Sequence, residues 1–256
     1  MFLNVLLQGS GFPRLRATVT LVQSQKRNIL VDSGLCDDAD RLVRALAERG
    51  LTPDDVDVVV ATHLHYDHCG NHLLFRNARY VVGAKDYVEN AHFIQAYHQD
   101  RTPGKAATSE LLRENYQTVK EFYVRSIVRE VTRNIDFYNR VLERDARFVP
   151  VEDSHWLTEE VEVLPTPGHT HGHISVVAHR ARTESEGPPR KILIAGDALF
   201  TRKSLVENGE RELQLAQDVA RYSDTRQRLL STYRHIIPGH DGLVDTAPEQ
   251  PLEVRP

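Results

Sequence analysis

Between Thr62 and Asn71 the chain reads T-H-L-H-Y-D-H-C-G-N, which puts three histidines and one aspartate within six positions. Neutral imidazole nitrogens and carboxylates are the usual ligands of zinc and similar divalent ions. A loop this dense in such groups needs a rigid support to aim it. The run before it, Val56 to Ala61, reads as a buried strand that delivers the loop. A related pattern recurs three times. Val161 to Leu164 precedes Gly168-His169, Ile192 to Ala195 precedes Gly196-Asp197, and Ile236 to Pro238 precedes Gly239-His240. Each is an apolar segment, then a glycine, then a ligand-type side chain. Glycine there lets the backbone turn sharply or approach an ion closely. The chain must therefore build sheets whose strand ends carry these groups.

The remaining pattern fits an α/β fold. Ala17 to Val22 and Asn28 to Val31 read as a hairpin-like pair ending at Asp32-Ser33-Gly34. Asp38 to Arg49 has helical spacing at Leu42, Val43, Leu46 and Ala47, with Gly50 as its C-terminal cap. Tyr80 to Val82 is another strand. Strands return after Trp156 at Val161–Leu164, Ile174–Ala178 and Lys191–Ala195, with Thr183–Pro189 as a hairpin loop. Ser223 to Tyr233 reads as a helix.

The stretch from about residue 85 to 147 is different. Leu112, Tyr116, Val119, Tyr123, Ile127, Val131, Ile135, Tyr138 and Leu142 recur at helical steps after a break at Pro103-Gly104. One long helix or two shorter ones are expected. Two roles are open: an added packed layer, or a lid or pocket wall that also serves as a dimer contact.

Composition narrows the partners. With 256 residues and 40% apolar residues, one sizeable domain spanning 1–256 is expected. A formal net charge of −4 provides no global footprint for nucleic acid. Cys36 and Cys69 suggest no disulfide framework. Met1 to Ser10 lacks the features of a signal peptide, and no run has the length of a membrane-spanning helix. A soluble cytoplasmic protein is the expectation, with no membrane partner, nucleic acid disfavoured and a homodimer open.

The ordered set H-x-H-x-D-H, a separate His, an Asp and a final His resembles the metallo-β-lactamase superfamily over nearly the whole chain. The resemblance implies an αββα sandwich, here with a helical insertion at about 85–147. It implies two divalent metal ions, Zn2+ foremost, with Fe and Mn also tolerated by this donor set. His63, His65 and His169 would hold the first, and Asp67, His68 and His240 the second, with Asp197 bridging. A pair of such ions supplies a hydroxide nucleophile near neutral pH and polarises the substrate oxygen. Asp67 would be catalytic as well as a ligand, orienting the nucleophile or protonating the leaving group.

Other residues carry lesser expectations. Asp32 is read as an acceptor orienting a ligand histidine, and Cys69 as a small packing residue. His173 matches a supporting position in G-H-T-x-G-H. His72 is read as a packing or supporting residue. His171 is a weaker candidate, and His92 and His98 are read as surface. His155, His179 and His235 have no motif support.

The substrate is less constrained. Many zinc β-lactamases place Cys where Asp197 stands, which argues against antibiotic hydrolysis. Mononuclear iron members such as persulfide dioxygenases lack part of the second site. Acyl-homoserine lactonases often carry Tyr three residues after the bridging Asp, where this chain has Phe200. The G-D-A-L-F stretch is also similar to glyoxalase II-type enzymes, although Asn208 to Arg211 does not clearly match their later substrate motif. The leading expectation is hydrolysis of a small ester, lactone or thioester. A phosphodiesterase or ribonuclease is the alternative, and a metal-binding scaffold with a vestigial site is a third reading that the complete ligand set disfavours.

Overall fold

The computed structural model describes residues 1–99, 121–183, 187–206 and 210–246. Among these, the strands form two six-stranded sheets. The first, in spatial order, contains β1 (Phe2–Leu7), β2 (Val19–Ser24), β3 (Arg27–Val31), β4 (Val58–Val60), β5 (Arg79–Gly83) and β6 (Phe148–Val151). The second contains β7 (His155–Thr158), β8 (Val161–Pro165), β9 (Ile174–Ala181), β10 (Arg190–Gly196), β11 (His235–Pro238) and β12 (Val244–Asp245), adjacent in that order.

Period-two alternation explains the layering. In β3 and β4, Ile29, Val31, Val58 and Val60 pack against Val161, Val163, Ile192 and Ile194 of the other sheet. Their neighbours Leu30 and Val59 point the opposite way, into a core with α1 (Ala39–Ala47) through Leu42 and Leu46. In β10, Leu193 and Ala195 likewise face Leu229. Each sheet is apolar on both faces because it is covered on both, which gives a helix–sheet–sheet–helix stack.

Strand direction places the functional groups. β3, β4 and β5 run parallel, so the segments leaving their C-terminal ends lie at one edge of the first sheet. β8 and β10 both pair antiparallel with β9, and β11 runs parallel to β10. The segments after β8, β10 and β11 therefore also share an edge. Ile174 N donates to Thr62 O at 2.8 Å, joining the two sheets there.

The expected helical segment is present in three described pieces: α3 (Ala84–Gln99), α4 (Glu121–Arg133) and α5 (Ile135–Leu142). The helical turn α2 (Tyr66–Cys69) lies within the histidine loop. Leu112, Tyr116, Val119 and Pro103-Gly104 fall outside the described residues. The break between α4 and α5 is at Asn134, whose Nδ2 donates to Cys69 O at 3.0 Å. The last helix, α6 (Val219–Thr232), begins before the expected Ser223 because Asp218 caps it, accepting from Arg221 N.

Four strands lie where the pattern shows none, the two-residue edge strand β12 among them. β1 has no clean alternation and carries a register shift between Val5 and Leu7. β6 contains Pro150, which lacks the N–H of a central strand but is tolerated at the edge position β6 occupies. β7 is the opposite sheet's other edge, with His155 and Trp156 exposed.

Candidate metal centre

The seven expected ligand residues converge from four strand ends. His63, His65, Asp67 and His68 lie on the loop and short helix after β4, and His169, Asp197 and His240 come after β8, β10 and β11. Six of the seven are buried, and His65 is half-buried. Among the described residues, three groups present one donor atom each within 4.8 Å of one another: His63, His65 and His169; His63, His68 and Asp197; and Asp67, His68 and His240.

His63 Nε2 lies 2.8 Å and His169 Nε2 lies 3.1 Å from His65 Nδ1. The Asp197 carboxylate lies between the two sides. Its Oδ2 is 3.4 Å from His169 Nε2 and 3.9 Å from His63 Nε2. Its Oδ1 is 3.3 Å from His68 Nε2 and 3.2 Å from His240 Nε2. Asp67 Oδ2 is 3.7 Å from His240 Nε2 and 3.9 Å from His68 Nε2. A Cβ on Gly239 would collide with Asp197 Oδ1, so the glycine before His240 allows this approach.

Charge is divided across the centre. Burial drives His63, His65 and His169 towards the neutral form, His65 to about 4. For His68 and His240, burial is the largest single influence and opposes the charged form, but the carboxylates together outweigh it and raise both: Asp197, Asp32 and Asp67 for His68, and Asp197 and Asp67 for His240. Burial alone would raise Asp197, yet His240, His68 and His169 hold its carboxyl well below the usual range. The neutral imidazoles of His63, His65 and His169 beside an ionised carboxylate form a donor set ready for a cation, whereas a cation on the other side would displace the protons that His68 and His240 hold.

The ring orientations have identifiable supports. Asp32 is buried and has φ +60°, a left-handed conformation rare for a residue with a side chain. Its carboxylate accepts from Thr62 N at 2.8 Å, from Thr62 Oγ1 at 2.9 Å and from His68 Nδ1 at 2.8 Å. The last contact leaves His68 Nε2 facing the centre. Arg16 O accepts from His240 Nδ1 at 2.9 Å, with the same effect on His240. Arg16 is absent from the sequence expectations because its backbone carbonyl, which any residue carries, does the work.

Several other expectations can be placed. Cys69 is fully buried, with Sγ 3.1 Å from His65 O and 3.3 Å from Tyr138 Oη, and burial pushes its thiol up, away from nucleophilic use. His173 is buried with Nδ1 2.8 Å from Thr166 Oγ1 and its ring centroid 5.2 Å from that of His63. His72 pairs Nδ1 with Ser33 Oγ at 2.7 Å and packs on Tyr80 and Phe137. His171 pairs with Glu89 at 2.8 Å. His92 and His98 are exposed, as is His155. Phe200 covers the His240 ring at a centroid distance of 4.2 Å and packs on Phe12 at 6.0 Å. That wall is aromatic and without a hydroxyl.

Described helices back this centre. Tyr138 Oη donates to Leu64 O at 3.0 Å, Asn134 holds Cys69 O, and Arg133 pairs with Asp37. Residues 127–142 thus pack behind the histidine loop, as the packed-layer role requires.

A buried, hydrolase-type arrangement of His and Asp at the ends of two facing sheets defines a metal-dependent hydrolase. The family model of the metallo-beta-lactamase superfamily matches residues 13–240, and the chain belongs to that superfamily. Among curated relatives, a probable metallo-hydrolase of Methanocaldococcus jannaschii is 24% identical over 84% of this chain and 72% of its own length. An N-acyl homoserine lactonase of a Bacillus species is 26% identical over 77% of this chain and 67% of its own. The dizinc quorum-quenching lactonase AidC, solved with the product N-hexanoyl-L-homoserine, superposes with a TM-score of 0.62 at 17% identity. That superposition covers 89% of this chain and 74% of AidC. The Bacillus thuringiensis protein AiiA, solved with N-decanoyl-L-homoserine at its active site, gives 0.56 at 20% identity, covering 88% and 81%. At these identities the solved structures establish the fold alone. Among the described residues no helix is long and apolar enough to cross a membrane.

Proposed function

We propose that this chain is a dinuclear hydrolase of a small carboxylic ester, lactone or thioester. His63, His65 and His169 would hold one ion, Asp67, His68 and His240 the other, and Asp197 would be shared. The observation that carries this reading is the central place of the Asp197 carboxylate: Oδ2 faces His63 and His169, Oδ1 faces His68, and His240 Nε2 lies within 3.3 Å of both oxygens. The donors fit such a pair. His68 Nε2 and Asp197 Oδ1 are fully buried with no hydrogen-bond partner, an arrangement that is costly unless a further group satisfies it. The set contains no thiolate and offers each ion three side chains and a share of Asp197, unlike the closed, Cys-rich structural sites. Zinc is the ion this donor chemistry favours.

When bound, the ions supply Lewis acidity and bring a water's pKa from ~15.7 to about 7. The protein's own part is positional and protonic. Asp32 and the Arg16 carbonyl fix the tautomers of His68 and His240, so each offers Nε2 to the centre. Asp67, at the same side as His240, takes a proton from the nucleophile and returns it to the leaving oxygen or sulfur. Phe200 and Phe12 exclude water beside His240. The lactonase relatives support an acyl substrate, and Phe200 supports a mechanism that needs no phenol at that position.

The test is a side-by-side assay of one metal-loaded preparation on an N-acyl homoserine lactone, a glutathione thioester and an activated phosphodiester, with its metal content measured. Two ions per chain and a large preference for an acyl substrate are expected. A preference for the phosphodiester would replace this reading with the phosphodiesterase one.

A further inference from the structure

The loop that carries His169 is fastened to a helix outside the ligand set. α3 begins directly after β5, so its first turn sits at the same sheet edge as His63 and Asp32. Asp86, in that turn, is 2% exposed. Its Oδ2 accepts from Thr170 Oγ1 at 2.6 Å, and its Oδ1 accepts from Gly172 N at 2.7 Å. Both donors lie within three residues of His169. The backbones meet closely: a Cβ on Gly83 would overlap Gly172 O, and a Cβ on Gly172 would overlap Asp86 N. One turn further along α3, Glu89 pairs with His171. On its other side the loop is held by backbone, with Gln217 N on His169 O at 3.1 Å and Asp218 N on Gly168 O at 3.0 Å.

Asp86 belongs to none of the ligand-capable groups among the described residues. Burial pushes its carboxyl up to about 7, so an acid at this depth is unfavourable unless its hydrogen bonds are wanted. A buried apolar residue would fill the position without that penalty. The hydrogen bonds it makes hold the Thr170 side chain and the Gly172 backbone, on either side of His171, and so the direction in which His169 leaves the loop.

We propose that Asp86 is a positioning residue for His169: through Thr170 and Gly172 it sets how tightly the His63–His65–His169 group holds its ion. This rests on reading that group as a metal site. By linkage, an ion bound there also steadies the start of α3.

The test uses the full chain as Asp86→Asn, Thr170→Val and Thr170→Ser. Zinc is titrated against a chromophoric chelator, and the unfolding midpoint of each metal-free protein is measured. Asp86→Asn and Thr170→Val are expected to weaken one of the two ions by about 10- to 100-fold while leaving the other unchanged. Thr170→Ser, which keeps the hydroxyl, should restore binding. Unchanged affinity for both ions in Asp86→Asn and Thr170→Val would overturn the proposal. So would equal weakening of both ions together with a lowered metal-free midpoint, which would make the contact merely structural. A wild-type chain that binds no ion would remove the metal-site reading itself, an outcome distinct from a wild type that loads and variants that load equally well.

Discussion

The two sheets contribute to the centre in different ways. The first sheet supplies four of the seven candidate ligands from one six-residue stretch after β4. The second supplies one each after β8, β10 and β11. On the first sheet the geometry is made by side chains behind a single loop: Asp32, Asn134 and Tyr138 each hold it from below. On the second it is made by strand register, since β10 and β11 align Ile194 with Ile237 and Gly196 with Pro238 just before Asp197 and His240. The loop half concentrates many donors on little chain but depends on its backing. The strand half is spread along the chain and depends on the sheet.

That contrast can be broken at several points. The largest effect is expected from Asp197→Ala, which removes the group facing both halves. Metal content and turnover should fall together, turnover to background, as measured by metal analysis and the acyl assay. His63→Ala should behave alike, and turnover unchanged in either variant would sink the site assignment. Next is Asp32→Ala, predicted to weaken metal binding by about 10- to 100-fold because His68 loses the acceptor that fixes its tautomer. Chelator competition reads this directly, and an affinity equal to wild type would show that the loop needs no such support.

Buried histidines yield the third prediction. Burial, with His68 adding to it, holds His72 neutral with its pKa down at about 3. The unfolded chain takes up that proton at an ordinary value near 6.5, so His72 contributes stability that is full above 6.5 and is lost as pH falls towards 3. Between pH 6.5 and 5 the loss is about 2 kcal/mol for one such group. Urea midpoints of the metal-free protein should fall over that range, and His72→Gln should show a flatter profile. An identical pH slope in the variant would contradict the assignment. The smallest effect belongs to Tyr138→Phe, which removes the hydroxyl on Leu64 O and is expected to lower stability by about 1 kcal/mol with little change in KM. A changed KM or substrate range would make α5 part of the pocket wall after all.

Legibility in the sequence divides along the same line. The histidine loop was legible because its donors are adjacent, and His169, Asp197 and His240 because each comes after an apolar strand and a glycine. Asp32 was legible as a turn residue at a strand end. The roles of Asp86, Asn134, the Tyr138 hydroxyl and the Arg16 carbonyl were not, because each acts on residues tens to hundreds of positions away; Tyr138 was legible only as a member of the helical stripe. The packing of α3, within the expected helical stretch, was illegible for a related reason. Its buried residues Asp86, Ile94, Ala96 and Tyr97 include an acid and make no simple apolar stripe, since the helix packs against both the loop and the core. β1, β6 and β7 are edge or irregular strands, whose weak alternation reflects one-sided pairing.

The spread of the candidate ligands along the chain also bears on synthesis. Residues 63 to 68 leave the ribosome long before His169, Asp197 and His240. During that interval the nascent chain exposes four candidate donors without the groups that would enclose an ion. The set of candidate ligands is complete only once β11 pairs with β10 and brings in His240. An ion that binds the finished protein and not the partial one pulls the folding equilibrium forward by mass action.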